Sequence, residues 1–139
     1  MYHGTDYSIE EFDLAEENPS SGRFDICLTD CESIAEMYAT RYDFTGDGTP
    51  TILQVEIAEG LVIATQEEAL LALGHAIEDI RMMGTSDTFH AIDQSGDALV
   101  AAGFDGVTYL DCLPGTAEEF ECTRIYKGGA VKIVKHWEV

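Results

Sequence analysis

From Thr51 to Ile57 the chain reads Thr-Ile-Leu-Gln-Val-Glu-Ile, the two-residue alternation of a half-buried strand. Shorter β-prone runs occupy 2–5, 23–29, 107–110, 120–126 and 131–134. Ile34, Met37 and Tyr38 instead recur at helical spacing and predict a helix that Asp30 caps and that reaches about Arg41. Thr65 followed by Glu68 is a capping-box pattern, opening a helix from Gln66 to about Met83 on which Ala69, Leu70, Leu73, Ile77 and Ile80 keep the period. A further helix, roughly 95–102, ends at Gly103. Turn signals fall at 18–22, 45–50, 113–116 and 127–129. Strand, strand, helix, strand, helices and three closing strands do not alternate as a doubly wound sheet does. The order predicts one α+β domain over 1–139, with mostly antiparallel strands and segregated helices.

Charge narrows the partners. The chain has 27 acidic and 7 basic residues, a formal net charge of −20. Such a field repels phosphate backbones and anionic membranes and favours a protein partner. The basic residues Arg124, Lys127, Lys132 and Lys135 are gathered near the end of the chain; before them stand only Arg23, Arg41 and Arg81. No apolar run reaches the ~20 residues that span a bilayer, and Met1-Tyr2-His3 does not open as a secretory leader does. The expected location is cytoplasmic, with Cys27, Cys31, Cys112 and Cys122 as reduced thiols. No CxxC or HxxxH pair is present, so no metal is expected.

Several site chemistries drop out. There is no GxGxxG, GxxxxGK or GxSxG, and no signature surrounds any cysteine as a nucleophile. The run 43–48 half resembles a calcium loop, but Gln54 stands where its bidentate glutamate belongs, so it reads as a turn. Asp111, Glu118, Glu119 and Glu121 cluster across the LPGT turn. Glu121 differs in lying inside an apolar strand, where a carboxylate aimed into a cleft can face a cationic sugar transition state.

Taken together, Tyr2-His3-Gly4-Thr5, the Cys27-Leu28-Thr29-Asp30 strand end, Ala35-Glu36-Met37-Tyr38-Ala39, the Ala101–Val107 strand entry and Glu121 follow a recognisable order. In that order the chain resembles the small diphtheria-toxin-like, His-Tyr-Glu ADP-ribosyltransferases, closest to phage and mobile-element forms; at least one anti-CRISPR protein belongs to that class. The resemblance implies two mostly antiparallel sheets flanked by helices, with NAD, as substrate, in the cleft between them. His3 would hold ribose hydroxyls of NAD, Gly4 would grip the nicotinamide carboxamide through its backbone, and Thr5 is the small hydroxyl residue that follows. Tyr38 matches the second of two nicotinamide-stacking tyrosines; Cys27 stands at the first and departs from the pattern, with Phe24 nearby to compensate. Thr29 completes the implied cofactor-binding set. Glu121 matches the catalytic glutamate that holds the ribose 2′-hydroxyl and stabilises the oxocarbenium-like sugar. Residues 111–119 would present the acceptor.

The implied activity is mono-ADP-ribosylation of a protein target, as a phage effector against a host or defence protein. Two rivals stand beside it: a NAD glycohydrolase with the same site, and a non-enzymatic acidic decoy occupying a basic protein surface. A tRNA phosphotransferase, whose relatives share the YHGT opening, needs more basic residues than the first hundred positions offer.

Overall fold

The tetrapeptide Tyr2–Thr5 forms β1, an interior strand rather than a frayed end, with β2 (Ile26–Thr29) on one side and β3 (Thr51–Ile57) on the other. The computed structural model describes residues 1–5, 25–40, 49–113 and 118–139. The expectations at 18–22, Arg23, Phe24, Arg41, the calcium-like run 43–48 and the middle of the LPGT turn lie outside the described residues. The N-terminus is tied down: the Met1 ammonium donates to the Val55 carbonyl at 3.3 Å, and Val55 N–H donates to the Met1 carbonyl at 2.9 Å.

After β2 come α1 (Glu32–Thr40), β3, β4 (Ile63–Ala64), four short helices α2 (Gln66–Ala72), α3 (Ile77–Met82), α4 (Thr85–Asp93) and α5 (Gly96–Ala101), then β5 (Gly106–Cys112), β6 (Glu119–Ile125) and β7 (Val131–Glu138). The class is α+β. The strands form one seven-stranded sheet in the order β4-β5-β6-β2-β1-β3-β7, antiparallel except at β4–β5. Two separate sheets were expected; the strands instead make a continuous ladder whose weak point is the β1–β2 join. There, among the described residues, a single register pair, Tyr2 opposite Thr29, is made, against four for β1–β3 and four for β2–β6.

Local chemistry explains where the elements stop. The capping box is present, with Thr65 Oγ1 accepting from Glu68 N–H and Glu68 Oε1 from Thr65 N–H. The single helix expected over 66–83 is two: Gly74 adopts φ 91°, a conformation that closes a helix, and α3 restarts at Ile77. The first carbonyl of α1 to accept helical N–H groups is that of Cys31, one residue past the expected Asp30 cap. α4 was not expected from the sequence, and β4, with two residues, is too short to show a period. Because β4 has two residues, Gln66 Oε1 takes over the edge of β5, accepting from Leu110 N–H at 2.9 Å.

Side chains alternate across a strand, so the registers sort the sheet into two faces. Tyr2, Thr29, Cys122 and Tyr109 lie in one row across four strands, and with them go Gly4, Cys27, Arg124, Phe120, Val107 and Asp111. This face meets the helices: Ala69, Leu70, Ile92 and Leu99 pack with Val107, Tyr109 and Cys122. His3, Thr5, Leu28, Thr123, Thr108 and Glu121 belong to the other face, where Ile26, Leu28, Leu53, Val55, Ile125 and Val131 form a second cluster. Among the described residues no helix is long and apolar enough to cross a membrane.

Gly4 is where α1 comes closest to the sheet. A Cβ there would overlap the Ala35 carbonyl and meet the Ala39 nitrogen at 3.0 Å. Both are helix backbone and neither can swing away. Gly4→Ala is expected to destabilise the fold by about 2–3 kcal/mol and to lower Tm by on the order of 10 °C, read by thermal melting.

Candidate functional site

His3 spans the β1–β2 join. Its Nδ1 lies 2.8 Å from the Cys27 carbonyl oxygen, which can only accept, so the ring is the tautomer protonated at Nδ1. Burial pushes its pKa down, against the opposing pull of the Cys27 carbonyl bond, and keeps the imidazole neutral near pH 7. The side chain thus replaces the ladder hydrogen bonds that β1 and β2 do not make.

The other residues named from the sequence divide between the faces. Gly4 turns its bare Cα to α1, and the requirement for glycine there is met by helix packing. Thr5 is buried on the His3 side. Thr29 Oγ1 accepts from Cys31 N–H at 3.1 Å, organising the turn into α1. Cys27 does not present itself for stacking: its sulfur accepts from Arg124 Nε at 3.2 Å. Tyr38, half-buried on α1, meets Phe120 edge-on at 6.0 Å between ring centroids. Glu121 is exposed and paired across β5–β6 with Leu110, on the face turned away from Phe120 and Tyr38. His3 and Glu121 are therefore brought to one side of the sheet, and Tyr38 and Cys27 to the other.

The acid on the Tyr38 side is Asp111. It is half-buried opposite Phe120, accepts from Cys112 N–H at 2.7 Å, and has its pKa raised by burial, partly offset by that hydrogen bond and by the charge of Arg124. The sequence held it in the late acidic cluster; its face was not visible before the hairpin register was known.

Arg124 is the second residue that sequence reading passed over, as one of several basic groups near the end. Its side chain is 6% exposed. It pairs with Asp25 at 3.3 Å and Asp93 at 2.8 Å, and its guanidinium lies 5.8 Å from the centroid of the Tyr109 ring. Burial opposes its charge, but Cys27, Tyr109, Asp25 and Asp93 outweigh that, and its pKa rises above the ordinary arginine value. Removing one partner of such a buried pair leaves an uncompensated charge. The network joins the residue before β2, the end of α4 and the end of β6. Thr85 Oγ1 donates to Glu119 Oε1 at 2.6 Å and fastens the start of α4 to the same hairpin.

Among the described residues no group of three or more His, Cys, Asp or Glu is placed to hold a metal ion. No known family's sequence model matches the chain, and neither a curated protein nor a solved structure matches it.

The raised Asp111 pKa has a sign that can be checked. Ionising the carboxyl in the folded chain is unfavourable, so its contribution to stability is whole below the unfolded value near 3.8 and is lost as pH rises through the folded pKa. Asp111→Asn is expected to melt higher than the wild type at pH 7, with the difference fading as pH falls below that unfolded value.

Proposed function

We propose that the protein is a NAD-dependent mono-ADP-ribosyltransferase acting on a protein target, with its substrate cleft at the β1–β2 join. The observation that carries the reading is the join itself: one register pair among the described residues, with a half-buried neutral His3 bridging to the Cys27 carbonyl. An interior strand pair left unzipped in this way offers backbone groups and an imidazole to a ligand that enters between the two halves of the sheet. In this reading the halves, β1-β3-β7 with α1 and β2-β6-β5 with α2 and α4, correspond to the two sheets of the transferase fold.

Each role then falls to a particular side chain. His3, which bridges the join to the Cys27 carbonyl, reaches ribose hydroxyls through the join from the face opposite Tyr38 and Asp111. Tyr38 and Phe120 supply the aromatic surface for nicotinamide, in place of a Tyr38–Cys27 sandwich. The acid role that the resemblance gives to Glu121 passes to Asp111, because Asp111 shares a face with Tyr38 and Glu121 does not. Its carboxylate faces the positive charge that develops on the sugar as nicotinamide leaves, an electrostatic contribution that is largest where water is excluded. Arg124 limits repulsion between Asp111 and Asp93. The acidic surface suits a basic protein acceptor. NAD as substrate agrees with a cytoplasmic site of action.

The test is nicotinamide release from NAD, with calorimetric NAD binding alongside, for wild type, His3→Ala, Tyr38→Ala, Asp111→Asn and Glu121→Gln. Asp111→Asn is expected to lose about 100-fold or more in cleavage with binding retained. His3→Ala and Tyr38→Ala are expected to weaken binding, and Glu121→Gln to stay within a few-fold. Release with ADP-ribose found only free in solution identifies the glycohydrolase. Folded wild type that neither binds nor cleaves NAD overturns the reading, and salt-sensitive binding to basic proteins then identifies the acidic decoy.

A further inference from the structure

Two of the thiols are arranged for chemistry that the NAD reading does not use. Cys27 on β2 stands opposite Arg124, and Cys122 on β6 stands opposite Thr29, so the cysteines are diagonal neighbours on the helix-covered face. The two thiols influence each other's ionisation. Arg124 Nε donates to Cys27 Sγ at 3.2 Å. A cationic donor therefore rests on one sulfur of the pair, the condition that favours a thiolate.

The pair is asymmetric. Cys27 is partly exposed, whereas Cys122 is 3% exposed and lies in the core cluster with Tyr109. The Cys122 hydrogen bond, more than Arg124, lowers the Cys27 pKa against the effect of burial, and that same bond followed by burial raises Cys122 well above the usual thiol value. A pair of inert core thiols would need no guanidinium aimed at one of them. A more accessible, ionisable sulfur beside a deeper protonated one is the division of labour between an attacking and a resolving cysteine.

We propose that Cys27 and Cys122 are a redox-active pair, in which a hydroperoxide oxidises Cys27 and Cys122 resolves the product to an intramolecular disulfide. The Cys27 thiolate attacks the terminal oxygen of the hydroperoxide. The O–O bond breaks, the sulfur is oxidised to a sulfenic acid, and the departing alkoxide takes a proton to become an alcohol, or water where the oxidant is hydrogen peroxide. The Cys122 sulfur then attacks the Cys27 sulfur, the S–OH bond breaks, and hydroxide leaves as water with the Cys122 proton. Two thiols lose two electrons and the hydroperoxide gains them. Diagonal neighbours in an antiparallel pair stand about 7–8 Å apart at Cα, just beyond the roughly 6.8 Å that a disulfide spans without backbone movement. Closure therefore draws β2 and β6 slightly together, and a bond made under strain is easily reduced again.

The experiment uses the full chain, wild type and Cys31→Ser, the latter removing an exposed thiol outside the pair. Each is treated with stoichiometric hydrogen peroxide, alkylated, and mapped by mass spectrometry without reduction. The expected product in both is a linked Cys27–Cys122 peptide pair lacking two hydrogens and reversed by dithiothreitol. In Cys122→Ser, Cys27 is expected to stop at the sulfenic acid and to be trapped by dimedone. The proposal is overturned if Cys27 and Cys122 are recovered as alkylated thiols while Cys31 or Cys112 is oxidised, or if a different pairing dominates.

Discussion

Everything distinctive in this sheet follows from one constraint: β1 and β2 are neighbours that barely pair. Interior strands normally satisfy each other's N–H and C=O groups along their length, because a buried unpaired group is costly. Here, among the described residues, a single register pair and the His3 Nδ1–H to Cys27 carbonyl bond join the two strands. The arrangement holds only if the imidazole stays in place with its Nδ1–H on the Cys27 carbonyl, and burial keeps that ring neutral. It also divides the sheet into halves that are each well paired within themselves, at β3–β7 on one side and β5–β6 on the other. A molecule built this way is closely paired within its halves and sparsely paired between them, where the Ile26, Leu28, Leu53 and Val55 cluster packs the two together.

Arg124 is the counterpart of that join. A guanidinium in the core is unfavourable unless it is paired and hydrogen-bonded, and this one draws Asp25, Asp93, Cys27 and the Tyr109 ring around itself. The cluster anchors the half of the sheet that carries Asp111 and Phe120, while α1, pressed onto Gly4, anchors the half that carries His3. The same cation pulls down the pKa of Asp111, Cys27 and Cys122, in each case against the effect of burial. One buried charge thus links the carboxylate of the NAD reading to the thiol pair.

How much was legible in the sequence depended on how local the determinant was. The alternation at 51–57, the Thr65–Glu68 capping box, the end of α5 at Gly103 and the class, α+β with mostly antiparallel strands, could be read directly. The break between α2 and α3 was signalled by Gly74, but apolar residues on both sides kept a helical period and concealed it. Facing was not legible at all. Glu121 and Asp111 belong to one acidic cluster in the chain, and only the hairpin register, Leu110 with Glu121 and Asp111 with Phe120, sends them to opposite faces. The buried role of Arg124 was hidden for the same reason, since Asp25 and Asp93 lie far from it in sequence. Gly4 shows a residue singled out for one reason and required in the fold for another.

The central claim is that the β1–β2 join is a ligand cleft, and amide hydrogen exchange with and without saturating NAD tests it most directly. The account predicts slowed exchange in peptides covering residues 1–5 and 25–31, with the tightly paired β3–β7 region unchanged. Saturated protein in which those two segments exchange at their ligand-free rates, while protection appears elsewhere, would contradict it.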